Sequence, residues 1–183
     1  MGLDYTDGCV NFRDIGTYIN LILEKEVLPE GKLFRGGSID YIERLADIGH
    51  IKSLINLRNG KDPKNFDITY YHFPMSNKIE KYNTSLKEVR VWLNSILKVF
   101  EDERLEFPIL IHCLSGKDRT GIVVVALLLI LGLEKTVIEQ EYLLSQGEIK
   151  LELIQESIQG FENIETYFNR VDLKKIRKNI LNS

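Results

Sequence analysis

Residues 109–121 read Ile-Leu-Ile-His-Cys-Leu-Ser-Gly-Lys-Asp-Arg-Thr-Gly, and an unbroken apolar run over 122–131 follows at once. A branched apolar run, a polar turn holding a glycine, and then a long helical stretch read as strand, tight turn and helix N-terminus. The successive backbone N–H groups of such a turn, with the first unpaired donors of the helix, form a concave anion site that suits a phosphate. Cys113, at the end of the strand, faces that positive field. The field and an adjacent cation are expected to ionise the thiol well below the roughly 8.5 of a free cysteine, making it a nucleophile at neutral pH. Arg119 starts the helix, and its planar fork can hold two phosphate oxygens and follow them through a planar transition state; a lysine would do this less well. Thr120 can offer a hydroxyl toward the sulfur when sulfur is the leaving group.

Other readings of this stretch are weaker. A buried structural thiol packs as a small hydrophobe, but His112, Gly116, Arg119, Thr120 and Gly121 all stand around Cys113 at offsets that chance rarely assembles. A nucleotide-binding glycine loop needs glycine where Ile111 stands and serine or threonine where Asp118 stands. His112 has no second ligand pair at zinc spacing, so no metal site is expected; it either orients the loop through hydrogen bonds or simply packs.

The rest of the chain gives the strand–turn–helix its setting. Runs over 51–57, 69–73 and 108–113 read as buried strands, and 84–101 carries apolar residues at helical intervals between two of them. Helical patterning resumes over 119–131 and 134–145 and in segments from 148 to 180. Strands early, with helices between and after them, imply an α/β fold with a sheet packed by helices. No linker composition or internal repeat divides the 183 residues, so one domain over 1–183 is expected. With 24 basic against 27 acidic residues the net charge is −3, which argues for no nucleic-acid partner. The apolar run over 122–131 is about half of what a bilayer crossing needs, so it is read as a buried helix and no transmembrane segment is expected. The two cysteines, Cys9 and Cys113, make no disulfide framework, and with no basic start followed by an apolar stretch the expected setting is reduced and cytoplasmic, export by a specialised system aside.

The segment His112-Cys113, five residues, then Arg119-Thr120 resembles the signature of the cysteine-dependent protein phosphatases. Further stretches are similar to the bacterial tyrosine-phosphatase branch that also accepts lipids: Asn11-Phe12-Arg13-Asp14-Ile15-Gly16, Leu33-Phe34-Arg35-Gly36-Gly37, Ile55-Asn56-Leu57-Arg58 and Glu141-Tyr142-Leu143-Leu144-Ser145. The resemblance implies a central, mostly parallel sheet flanked by helices, flanking motifs that brace the loop, and hydrolysis of phosphate monoesters through a cysteinyl-phosphate. It implies no metal and no cofactor. Cys113, Arg119 and Asp118 would be catalytic, and Leu114, Ser115, Gly116, Lys117 and Thr120 would bind the substrate, a phosphorylated protein or a phosphoinositide.

One departure stands out. The family's usual general acid is an aspartate on a loop after a strand, which by spacing falls at position 77, and residue 77 is Asn. Loss of such an acid costs roughly 10² to 10⁴ in rate for a poor leaving group. Asp118 is the strongest replacement, its alternative role being a loop-bracing carboxylate; myotubularin-like lipid phosphatases also carry Asp there. Asp62, Asp67 and Glu80 rank lower, as solvated loop charges. Lys117 adds a cation that would suit a second phosphate, or it only holds the loop. Cys9 reads as an isolated thiol rather than a resolving partner, His50 as a helix-end residue, His72 as a packed one, Tyr82 as an incidental surface residue, and the basic cluster at Lys174, Lys175, Arg177 and Lys178 as a solvated helix face. Asn77 keeps open a phospho-ligand binding module without turnover, and a sulfur-transfer enzyme of the rhodanese type would want a shorter loop.

Overall fold

The computed structural model describes residues 8–182. Five short strands form one sheet: β1 (Arg13–Asp14), β2 (Leu33–Gly36), β3 (Ser53–Asn56), β4 (Thr69–His72) and β5 (Ile109–His112), in the order β1-β2-β5-β3-β4. The strands β2, β5, β3 and β4 run parallel, and β1 is antiparallel to β2 at the edge. Register puts Gly36, His112, Asn56 and His72 level with one another, so every parallel strand delivers its chain to the same edge of the sheet. A ligand site at the carboxyl ends of a parallel sheet is where such folds place one.

Side-chain alternation divides the core. Leu33, Ile55, Ile109, Ile111 and Cys113 join the larger cluster, while Phe34, Leu54 and Leu110 join a smaller one with Cys9, Ile39, Ile42, Ile48 and Ile51. Successive residues of a strand point to opposite faces, and a parallel sheet buries both. The larger cluster is built by α2 (Lys87–Leu97), α3 (Asp118–Ile130), α4 (Lys135–Leu143), α5 (Leu151–Gly160) and α7 (Leu173–Leu181). Along α3 every residue from Thr120 to Leu128 is buried. A helix apolar all round belongs inside, and among the described residues no helix is long and apolar enough to cross a membrane.

The expected α/β sheet with flanking helices is the observed one, with shifted boundaries. The helix expected from 84 begins at Lys87, because Thr84 is spent elsewhere: its hydroxyl donates to Ser157 O at 2.7 Å and its carbonyl accepts from Tyr167 Oη at 2.7 Å. Its last turn tightens into a 3-10 helix, Lys98–Glu101. The helix α1 (Ile15–Leu23) is an element that periodicity did not single out; it starts where Asp14 Oδ1 accepts from Gly16 N at 3.0 Å and Oδ2 from Thr17 Oγ1 at 2.8 Å. The short helix α6 (Ile164–Tyr167) is capped in the same way by Asn163.

Candidate active site

At the end of β5 the chain turns back into α3, and the scaffold grips this turn by its carbonyls. His112 O accepts from Leu57 N at 2.8 Å, Leu114 O from Ser38 N at 2.9 Å, Ser115 O from Asn11 Nδ2 at 2.8 Å, and Gly116 O from Arg35 Nη2 at 3.0 Å. In a trans peptide the carbonyl and the following N–H point in opposite directions. Tying the carbonyls of 114, 115 and 116 outward therefore turns the N–H groups of Ser115, Gly116 and Lys117 to the other side, together with the unpaired donors that open α3. From the sequence an amide cradle is expected at this turn, and the carbonyl tethers are compatible with one. Its tightest point is Gly116, which adopts φ +68°; an added Cβ would lie 2.4 Å from Gly36 C, so only glycine fits.

The functional side chains are placed as follows. Cys113 is 1% exposed and joins the larger core cluster, a deeper seat than the sequence suggested. Among the described residues the guanidinium of Arg119 is fixed by one hydrogen bond, Nη1 to Leu57 O at 2.9 Å, so the carbonyl just after β3 aims a group that starts on α3. Thr120 Oγ1 is buried and has no hydrogen-bond partner among the described residues. The expected hydroxyl-to-sulfur bond is thus not made; an unpaired buried hydroxyl costs about 1–3 kcal/mol. Lys117 is half-buried and bent back onto the protein. Its Nζ donates to Glu148 O at 2.7 Å and stands 3.9 Å from Asp118 Oδ1, so it fastens the turn after α4 to the loop. Leu114, by contrast, is 59% exposed.

Asp118 opens α3, and its Oδ1 accepts from Tyr82 Oη at 2.5 Å. The Tyr82 hydroxyl is also 2.9 Å from Tyr142 Oη. Tyr82 is 4% exposed, which corrects the reading of it as a surface residue: the polar stretch around it conceals one buried ring, and no periodicity marks it. Burial, then the Asp118 carboxylate, raises the Tyr82 phenol far above its ordinary range; burial also raises Tyr142.

The other carboxylates fall elsewhere. Asp62 has a fully buried side chain, against the expectation of a solvated charge: Oδ2 is 2.9 Å from His112 Nε2 and accepts from Tyr70 Oη at 3.3 Å, and Oδ1 accepts from Arg58 Nη1 at 3.3 Å. His112 Nδ1 faces Gly37 O at 3.2 Å. With polar contacts at both ring nitrogens, to the Asp62 carboxylate and to the Gly37 carbonyl, His112 is held in orientation rather than merely packed. Asp67 precedes β4, at the sheet edge opposite the loop. Glu80 Oε1 accepts from Tyr82 N at 3.2 Å, and Asn77 is exposed in a turn.

Beneath the loop the flanking motifs meet, in a pairing that the sequence did not reveal. Glu141 is shared by two arginines, Arg13 Nε to Oε1 at 2.8 Å and Arg35 Nη1 to Oε2 at 2.6 Å, all nearly without exposure. Burial raises the Glu141 carboxyl, but the two guanidiniums outweigh it and hold the group below its ordinary value. Burial and then Arg13 pull Arg35 down to about 10. One carboxylate against two guanidiniums leaves a positive charge beneath the loop. Asn11 adds a clamp, accepting from Gln146 N at 2.6 Å while donating to Ser115 O. Cys9 lies on the opposite face of the sheet from Cys113, its Sγ 3.7 Å from Gly37 O. Burial pushes its thiol up to about 12. A cavity of about 450 Å³ between Met75, Ile79 and Trp92 opens beside the 73–86 connection and includes none of the loop.

The arrangement can bind a tetrahedral oxyanion on amides and a guanidinium, present sulfur to it, and bring one carboxyl alongside. The profile of the tyrosine phosphatase family matches residues 5–182. Among solved structures, the core catalytic domain of the PP-IP phosphatase SIW14 from S. cerevisiae, in complex with citrate, is similar at TM-score 0.54 and 20% identity, over 80% of this chain and 92% of that one. DUSP15 is similar at TM-score 0.51 and 18% identity, over 82% and 94%. TpbA from P. aeruginosa is similar at TM-score 0.50 and 14% identity, over 82% and 86%. At these identities the structural likenesses bear on the fold. No curated protein matches the sequence.

Proposed function

The chain belongs to the tyrosine phosphatase family, and from that premise we propose that it hydrolyses phosphate monoesters in two steps through a cysteinyl-phosphate on Cys113. The observation that carries this is the outward tethering of the loop carbonyls at Leu114, Ser115 and Gly116, which commits the opposing amides to an anion. In the first step the Cys113 sulfur attacks phosphorus while those amides and Arg119 hold the equatorial oxygens, donors fixed before charge develops. Asp118 gives a proton to the departing oxygen, and in the second step takes one from the water that cleaves the S–P bond. Thr120 stabilises sulfur as it leaves.

The substrate reading is broad: phosphotyrosine, other phosphorylated residues and phosphoinositides all present the dianion the loop would bind. Lys117, fastened to Glu148 O, favours its loop-holding role over capture of a second phosphate. Para-nitrophenyl phosphate tests the chemistry. Cys113→Ser is expected to abolish phosphate release, and retained turnover would remove Cys113 from the mechanism. A panel of phosphotyrosine, phosphoserine and phosphoinositide substrates then ranks specificity.

A further inference from the structure

Resting on the assignment of Asp118 as the acid, we propose that Tyr82 is a positioning residue that determines which oxygen of Asp118 carries the transferable proton. A phenol has one hydrogen, and an ionised carboxylate can only accept. The 2.5 Å contact is therefore Tyr82 Oη donating to Asp118 Oδ1, and the 2.9 Å contact is Tyr142 Oη donating to Tyr82 Oη. While Asp118 is ionised, the direction along the chain is Tyr142 to Tyr82 to Asp118. With the Tyr82 phenol raised by burial and by the carboxylate it serves, that donor keeps its hydrogen through the cycle. An Oδ1 that faces a permanent donor cannot also hold a hydrogen on that side, so protonation of Asp118 falls on Oδ2, which has no hydrogen-bond partner among the described residues. The Asp118 side chain is 34% exposed, so the carboxyl is not sealed within the core.

The rest of the fold holds Tyr82 still. Its N–H donates to Glu80 Oε1 at 3.2 Å and its carbonyl accepts from Ser157 Oγ at 2.8 Å. The connection from β4 to α2, which carries Asn77 where an acid was expected, thus contributes a hydroxyl that orients an acid placed elsewhere. In the first step the S–P bond forms and the P–O bond breaks; its electron pair goes to the leaving oxygen, which takes the proton from Oδ2. In the second, water oxygen bonds to phosphorus, the S–P pair returns to sulfur, and Oδ2 takes a proton from that water. Tyr82 neither gains nor loses a proton.

The test is Tyr82→Phe, which keeps the ring and deletes the hydroxyl, assayed with phenyl phosphate and with para-nitrophenyl phosphate, the better leaving group. The expected result is a fall in kcat of about tenfold for phenyl phosphate and about twofold or less for para-nitrophenyl phosphate, with KM unchanged for both. Asp118→Asn should show the same preference more strongly, and the double variant should be no slower than Asp118→Asn alone. Tyr142→Phe, which spares the Tyr82 hydroxyl, should give a weaker form of the pattern, and urea midpoints show that each variant is folded. If Asp118→Asn discriminates between the substrates and Tyr82→Phe slows both equally, or the double variant loses further activity, the Tyr82 assignment is overturned while the acid stands. If Asp118→Asn itself slows both equally, the acid assignment fails and this inference with it.

Discussion

Arg119 shows how little holds a side chain that matters. Among the described residues its one hydrogen bond runs to Leu57 O, and in the proposed mechanism the remainder of its fork meets a ligand whose charge is spread over three equatorial oxygens. Lysine would keep the charge and lose the planar pair of donors. Arg119→Lys should therefore lower kcat by roughly 10²- to 10³-fold, the usual cost of one preorganised donor, with a smaller change in KM; an unaltered kcat would mean that the guanidinium serves binding alone. At this scale the sequence was informative wherever residue type was the signal. Cys113, Gly116 and Arg119 stand out in the sequence because no other type would do the work proposed for them at those offsets. Tyr82 and Asp62 were not, since what makes them matter is burial, at 4% for Tyr82 and none of the Asp62 side chain exposed, and both lie in stretches whose composition looks solvated.

The elements repeat the lesson. Strands β3 and β5 were readable as short branched runs, whereas β2 hides because Arg35 stands in the middle of it and is wholly buried. Its partner explains the anomaly. Glu141 on α4 joins Arg35 on β2 to Arg13 on β1, and through Gly116 O the same guanidinium reaches the loop. Three elements far apart in sequence are joined by one carboxylate, and no local pattern encodes a partner 106 residues away. Glu141→Gln would leave two buried guanidiniums facing a neutral amide, at a cost of about 3–5 kcal/mol read from urea midpoints at pH 7. Because the folded state depresses the Glu141 carboxyl, its contribution is present above the unfolded value of about 4.3 and is lost as pH falls through the lower folded value. The gap between wild type and variant should accordingly narrow below about pH 4; a constant gap would trace the loss to packing rather than charge.

The whole molecule is a sheet with a core on each face, and its alkaline stability should be governed in part from the smaller one. Cys9 is 1% exposed beside Gly36 and Gly37, with a hypothetical Gly36 Cβ only 2.8 Å from Sγ, so the thiol has no room for water. Burial holds it protonated to about pH 12, against 9.0 for an unhindered thiol. The unfolded chain therefore releases this proton first. Stability contributed by the neutral thiol is complete below pH 9.0 and drains away as pH climbs toward about 12, by at most about 1.4 kcal/mol per pH unit. Cys9→Ala removes the ionisation along with some packing, so the variant should be the weaker protein at pH 7, by about 1–2 kcal/mol. Tyrosines and lysines titrate alike in both proteins and cancel in the difference. The urea midpoints of the two should thus converge above pH 9 and cross near about pH 10. Parallel curves through that range would show that Cys9 ionises as readily in the folded protein as in the unfolded chain, and that the space beneath Gly36 and Gly37 admits water.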